Sequence, residues 1–192
     1  MLTAACLTAL ALKILDEWFE AMEAGEARYP RWMARTGPGL LVYAFLSLAA
    51  AAIFDARLAA GYTFAAYAVG MHGRLRERQL SGVPGWVESL VSLAILVVAC
   101  SLRLAIGFLA ATIAAQLVDD VLDRTEDQGE LVPSLANRFG TTECLLAALG
   151  LALLAWWAYP WLPVWTALAY AGVYALEHGP PQRKTGGGAG PC

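Results

Sequence analysis

Two stretches of this 192-residue chain carry the same polar punctuation at a fixed spacing. Residues 16–37 read DEWFEAMEAGEARYPRWMARTG, and residues 119–140 read DDVLDRTEDQGELVPSLANRFG. An offset of 103 pairs Asp16 with Asp119, Glu17 with Asp120, Glu20 with Asp123, Glu23 with Glu126, Pro30 with Pro133, Arg35 with Arg138 and Gly37 with Gly140. Apolar helices resemble one another because they draw on a small alphabet. A shared register of carboxylates, proline, arginine and glycine has no such origin and points to an internal duplication. Two copies of one acidic segment constrain the fold to two similar halves and imply one shared function.

The chain as a whole is too apolar for a water-soluble domain. It is 59% hydrophobic and only 15% charged, with a mean hydropathy of +0.55, the profile of a polytopic membrane protein. A net charge of −3 without a basic stripe excludes a nucleic-acid partner. Cys6, Cys100 and Cys144 sit inside apolar runs and Cys192 ends the tail, so the spacing fits neither a metal knuckle nor a disulfide framework. The N-terminal apolar run ends directly in carboxylates, with no basic segment before it and no small-residue cleavage site after it. It therefore reads as a retained membrane helix.

A membrane core of about 30 Å needs roughly 20 apolar residues per crossing. Apolar runs fall near 2–20, 38–54, 57–73, 84–100, 102–122, 142–158 and 161–177. The expected fold is all-α, a polytopic membrane bundle of about seven transmembrane helices. Residues 1–178 would form one transmembrane domain with repeat-like units near 1–80 and 81–178, and 179–192 a flexible, Gly- and Pro-rich cytoplasmic tail. Seven crossings put Arg28, Arg31, Arg35, Arg74, Arg76, Arg78, Arg124, Arg138, Arg183 and Lys184 on one side, and Arg57 and Arg103 on the other. That bias assigns the first side to the cytoplasm of a bacterial or archaeal cytoplasmic membrane, with both acidic motifs facing it. Four crossings separate the first helix from the fifth, so the two units run parallel and their carboxylates converge. The run 84–100 is an additional helix without a counterpart in the first unit.

Asp119, Asp123 and Asp127 recur every four residues with Asp120 beside them, which sets them along one broad stripe of a helix. Several carboxylates at the end of a membrane helix repel one another unless cations neutralise them. Hard oxygen donors, one or two carboxylates per ion, suit Mg²⁺ best, and Mg²⁺ shares its remaining positions with water and substrate phosphates. Asp16, Glu17, Glu20 and Glu23 supply the counterpart on the first helix, so the two stripes suggest a metal-bridged diphosphate site. Arg28, Arg35, Arg74 and Arg138 are the candidate phosphate ligands, because a guanidinium fork matches phosphate oxygens. Lys13, one turn deeper, would either contact a phosphate or neutralise the neighbouring acids.

The run Asp119-Asp120-x-x-Asp123-x-x-x-Asp127 resembles the N/D-D-x-x-D-x-x-x-D signature of the UbiA superfamily of intramembrane prenyltransferases, and Asp16-x-x-x-Glu20 resembles that family's second motif. The resemblance implies Mg²⁺ held by Asp119, Asp120, Asp123 and Asp127 as catalytic ligands, and by Asp16 and Glu20 on the facing helix. It implies a prenyl diphosphate as donor and a lipophilic acceptor, with the prenyl chain among the helices and membrane lipid as the surrounding solvent.

Other readings accompany these features. The arginines of 74–78 serve as topology anchors or as ligands, and His72 beside them as a loop residue or a phosphate donor. Trp156, Trp157, Tyr159, Trp161 and Trp165 form an interfacial belt or line a carbocation pocket. Pro30 and Pro133 shape amphipathic segments after each motif, and Gly37 and Gly140 open the next helices. In a rival reading the duplicated acids form the ion site of a cation-binding membrane protein or transporter.

Overall fold

The computed structural model describes residues 1–24, 39–70, 82–122 and 135–177. These are all-helical: α1 (Leu2–Ala24), α2 (Gly39–Gly70), α3 (Gly85–Cys100), α4 (Leu102–Leu122), α5 (Leu135–Phe139), α6 (Thr141–Ala158) and α7 (Leu162–Glu177). Three of them, α2, α4 and α6, are long and apolar enough to cross a membrane, and α3 and α7 are shorter apolar helices. The chain is thus a helical membrane protein.

Two helix bounds bear on the sequence expectation. The first helix extends past the apolar run, which ends near 20, to Ala24 and so carries the expected acidic stripe as helix. The runs expected as separate helices near 38–54 and 57–73 are the two halves of α2, which meet at a kink at Asp55, whose backbone is extended (φ −162°, ψ 91°). The Asp55 carboxylate accepts the Leu58 N–H at 3.0 Å, the bond an N-cap makes, so it starts the second half of α2. Tyr159 breaks the chain between α6 and α7 in nearly the same conformation (φ −156°, ψ 112°). Between α3 and α4 one residue suffices. Ser101, at φ +74°, donates its N–H to Val97 O and accepts from Ala105 N–H.

Contacts along the helices fix their directions. Arg103 at the start of α4 donates to Trp157 O at the end of α6, and Tyr159, leading into α7, donates to the Met1 sulfur at the start of α1. α1 packs along α7, and Asp119 far down α4 meets Tyr170 far down α7. α1, α4 and α7 therefore run in one direction, and the acidic tips of α1 and α4 lie at the same end of the molecule. The second half of α2 pairs with α3 through Cys100 Sγ to Arg57 O at one end and Ser89 Oγ to Ala68 O at the other. The second of these contacts lies at the acidic end.

The core is built of small residues. Its largest cluster joins Ala4 and Ala5 of α1, Tyr62 and Ala65 of α2, Leu96 of α3, Ala110 and Ala111 of α4, Ala155 of α6 and Leu162 and Ala169 of α7. Large apolar side chains point outward instead: Ile53 is 85% exposed and Val98 87%. Small residues inside and large ones outside is the pattern of helices that associate by close backbone approach within lipid. Gly61 lies under the Phe108 ring, which meets Tyr62 edge-on with centroids 5.0 Å apart. The Tyr62 hydroxyl, paired with Thr166, donates to Leu162 O at 3.2 Å and ties α2 to α7.

Two satellite clusters flank this core. In one, Ala11 and Ile14 of α1 bury against Leu40 and Ala44 of α2, with Leu10, Leu15, Trp18 and Leu48 around them. In the other, Ala114 and Leu117 of α4 bury against Cys144 and Ala148 of α6, with Ile113, Val118, Val121 and Leu151 around them. The second cluster also covers Ala136 of α5.

Candidate functional site

The acidic end is assembled from four helices. α4 delivers Asp119 and Asp120 at adjacent positions, which a helix turns about 100° apart. The two carboxylates accordingly have different partners. Asp119 Oδ1 accepts the hydroxyl hydrogen of Tyr170 from α7. Asp120 Oδ2 accepts the Leu135 N–H at 3.0 Å, holding the start of α5 against the tip of α4. Both donors are neutral groups that orient the carboxylates.

Asp16 is exposed on α1 with Lys13 one turn before it, partly buried. Arg138, in the last turn of α5, is exposed, its guanidinium 5.3 Å from the Phe139 ring centre. The structure thus brings Asp16, Asp119, Asp120, Lys13 and Arg138 to one end of the bundle. Asp123 and Asp127, together with Arg28, Arg35 and Arg74, lie outside the described residues, as does the side chain of Glu20. Among the described residues no group of three or more His, Cys, Asp or Glu side chains stands close enough to hold a metal. Asp16, Asp119 and Asp120 are half of the expected Mg²⁺ ligand set, and their carboxylate oxygens are the hard donors that ion prefers.

Sequence reasoning missed Tyr170, Tyr67 and Glu88. Tyr67, near the end of α2, donates to Glu88 Oε2 in the first turn of α3, at the same end of the molecule. Tyr67 and Tyr170 are themselves 103 residues apart, the offset that relates the acidic motifs. That spacing was the available signal, hidden because tyrosine in an apolar helix reads as ordinary aromatic packing.

Gly140 opens α6, as expected from its sequence position, at φ +104° and with the Glu143 carboxylate folded over it. Only glycine adopts that backbone without strain. It lets the chain pass from α5 into α6 in one residue, holding α5 beside Asp120. The aromatic belt divides: Trp156, Trp157 and Trp161 are exposed at the opposite end, whereas Trp165, stacked on Trp161 at 6.0 Å, packs against the core. No family model, curated protein or solved structure matches this chain.

Proposed function

We propose that the chain is a Mg²⁺-dependent intramembrane prenyltransferase of the UbiA type, with a polyprenyl diphosphate at its acidic end and a lipophilic acceptor beside it. The observation that carries this reading is the placement of two acidic helix tips, α1 and α4, at the same end of a bundle whose interior is apolar. Parallel duplication is supported by packing. Ala11, Ile14, Leu10, Leu15, Trp18 and Leu48 of one satellite cluster correspond at the offset of 103 to Ala114, Leu117, Ile113, Val118, Val121 and Leu151 of the other. Counting the two halves of α2 as separate crossings completes a seven-span arrangement with the acids on the cytoplasmic side.

In this reading Asp16, Glu20, Asp119, Asp120, Asp123 and Asp127 hold the metal, which supplies charge neutralisation for a departing diphosphate. Tyr170 fixes the orientation of Asp119, and the Asp120 contact to Leu135 keeps α5 and Arg138 near the phosphates. Lys13, Arg28, Arg35, Arg74 and Arg138 would bind the diphosphate oxygens. The C–O bond breaks with its electron pair leaving on the diphosphate, the acceptor bonds to the allylic carbon, and the acceptor then loses a proton. The helix interior excludes the water that would otherwise capture the cation.

The test is the melting temperature of the purified protein in detergent with geranylgeranyl diphosphate, with and without Mg²⁺. Ligand at about 100 times its dissociation constant stabilises by about 2.7 kcal/mol. A shift requiring both components supports the proposal. A shift with Mg²⁺ alone assigns the acids to an ion site and overturns it.

A further inference from the structure

Arg57 and Arg103 enter the fold together, at the end of the bundle away from the acids. Cys100, the last residue of α3, donates its thiol hydrogen to Arg57 O at 3.5 Å, and Arg103 follows three residues later across the turn at Ser101. The helices that carry the two arginines are in step. Gly61, four residues beyond Arg57 in the second half of α2, lies under the ring of Phe108, five residues beyond Arg103 in α4. Both arginines are exposed, so two guanidiniums flank the α3–α4 turn at one level.

Charge and apolar surface meet at this turn. Among the described residues Asp55 is the one carboxylate at this end, and it accepts the Leu58 N–H. Two cations against one anion leave a net positive charge, whichever partners they take. Arg103 is held in place: one of its nitrogens donates to Trp157 O at 2.6 Å, and its guanidinium lies 5.0 Å from the Trp157 ring centre. A guanidinium fork has more N–H donors than that one carbonyl takes, and its geometry matches phosphate oxygens. Phe54 and Val98, Leu102 beside Arg103, and Trp157 beneath it are all large apolar side chains exposed at the same end. A soluble anion would meet the charge and leave this surface uncovered. A phospholipid meets both, with its phosphate at the arginines and its hydrocarbon on the apolar side chains.

We propose that this end binds one anionic phospholipid, its phosphate held by Arg57 and Arg103 and an acyl chain laid against Val98 and Leu102. The proposal is independent of the diphosphate chemistry at the other end, and it holds whichever leaflet this end faces.

The full-length protein in detergent, titrated with phosphatidylglycerol or phosphatidylcholine of matched acyl chains and read by native mass spectrometry, tests it. The two lipids share the phosphate and differ in net charge. Arg57→Gln/Arg103→Gln should lose one phosphatidylglycerol per protein, its affinity down about tenfold, the scale of a headgroup charge meeting one or two arginines. Phosphatidylcholine binding should change little. Because Arg103 also ties α4 to α6, Arg57→Gln alone guards against a folding defect: it leaves that tie in place and should weaken the same phosphatidylglycerol. Unchanged phosphatidylglycerol binding in both variants, or an equal loss of phosphatidylcholine, overturns the proposal. Displacement of the lipid by inorganic phosphate would assign the arginines to a free anion and overturn it as well.

Discussion

α1 and α4 match along their apolar flanks and diverge at their acidic tips. Ile14 and Leu117 fill equivalent places, each buried against the helix that follows its acidic segment. Beyond them α4 carries Asp119, which accepts from Tyr170, and Asp120, which accepts from the start of α5, and α1 carries Asp16, which is exposed. Lys13 on α1 stands where α4 has Gln116. Apolar packing tolerates little change once two helices are in close contact, because neither partner can move without opening a void. Polar tips are free of that restraint and can specialise. The matched flanks would hold two helix ends at one height while their chemistry differentiates.

The largest effects should come from the flanks. Ile14→Ala and Leu117→Ala should each destabilise by roughly 2–5 kcal/mol, the range for emptying a buried aliphatic site. Melting in detergent should give similar losses for both, and values differing by more than about 2 kcal/mol would break the equivalence. Gly140→Ala is next. It combines a strained backbone with a collision against Glu143, for about 1–3 kcal/mol, and Gly140→Ala/Glu143→Ala should recover only the steric part.

Tyr170→Phe sharpens the contrast at the tips. It removes the only hydroxyl that residue 170 can offer Asp119, at a cost of about 1–2 kcal/mol. It should also weaken Mg²⁺-dependent binding of geranylgeranyl diphosphate, read by thermal shift. Tyr67→Phe, whose hydroxyl serves Glu88, should leave that binding unchanged. The smallest effect belongs to Asp55→Ala, which removes an N-cap worth about 1 kcal/mol at the end away from the acids. Its thermal loss should come without change in diphosphate binding.

Much of this architecture is written in local patterns. Apolar run lengths locate α3, α4, α6 and α7 to within a residue or two, and the polar interruption at Asp55 marks the break in α2. Gly140 announces itself as a helix opener because so few residues tolerate its backbone. The continuation of α1 to Ala24 agrees with the acidic stripe that reaches Glu23, since Glu, Ala and Met are good helix formers. The site was legible only in part. Acid spacing nominates Asp119 and Asp120, but which carboxylate meets Tyr170 and which meets the Leu135 amide depends on how α7 and α5 lie across α4. No periodicity within one helix carries that information.

The connections of the fold are distributed unequally between its two ends. Away from the acids the chain reverses through Asp55, through Ser101 and through Tyr159–Trp161, none longer than three residues. Segments 25–38, 71–81 and 123–134 all join helices at the acidic end. A nascent chain entering a bilayer from the acidic side would have to carry across, besides the start of α1, those few turn residues, already folded into helical pairs. Biogenesis would then require little hydration to be stripped from exposed backbone, and the acidic helix tips would stay on the side from which the chain inserts.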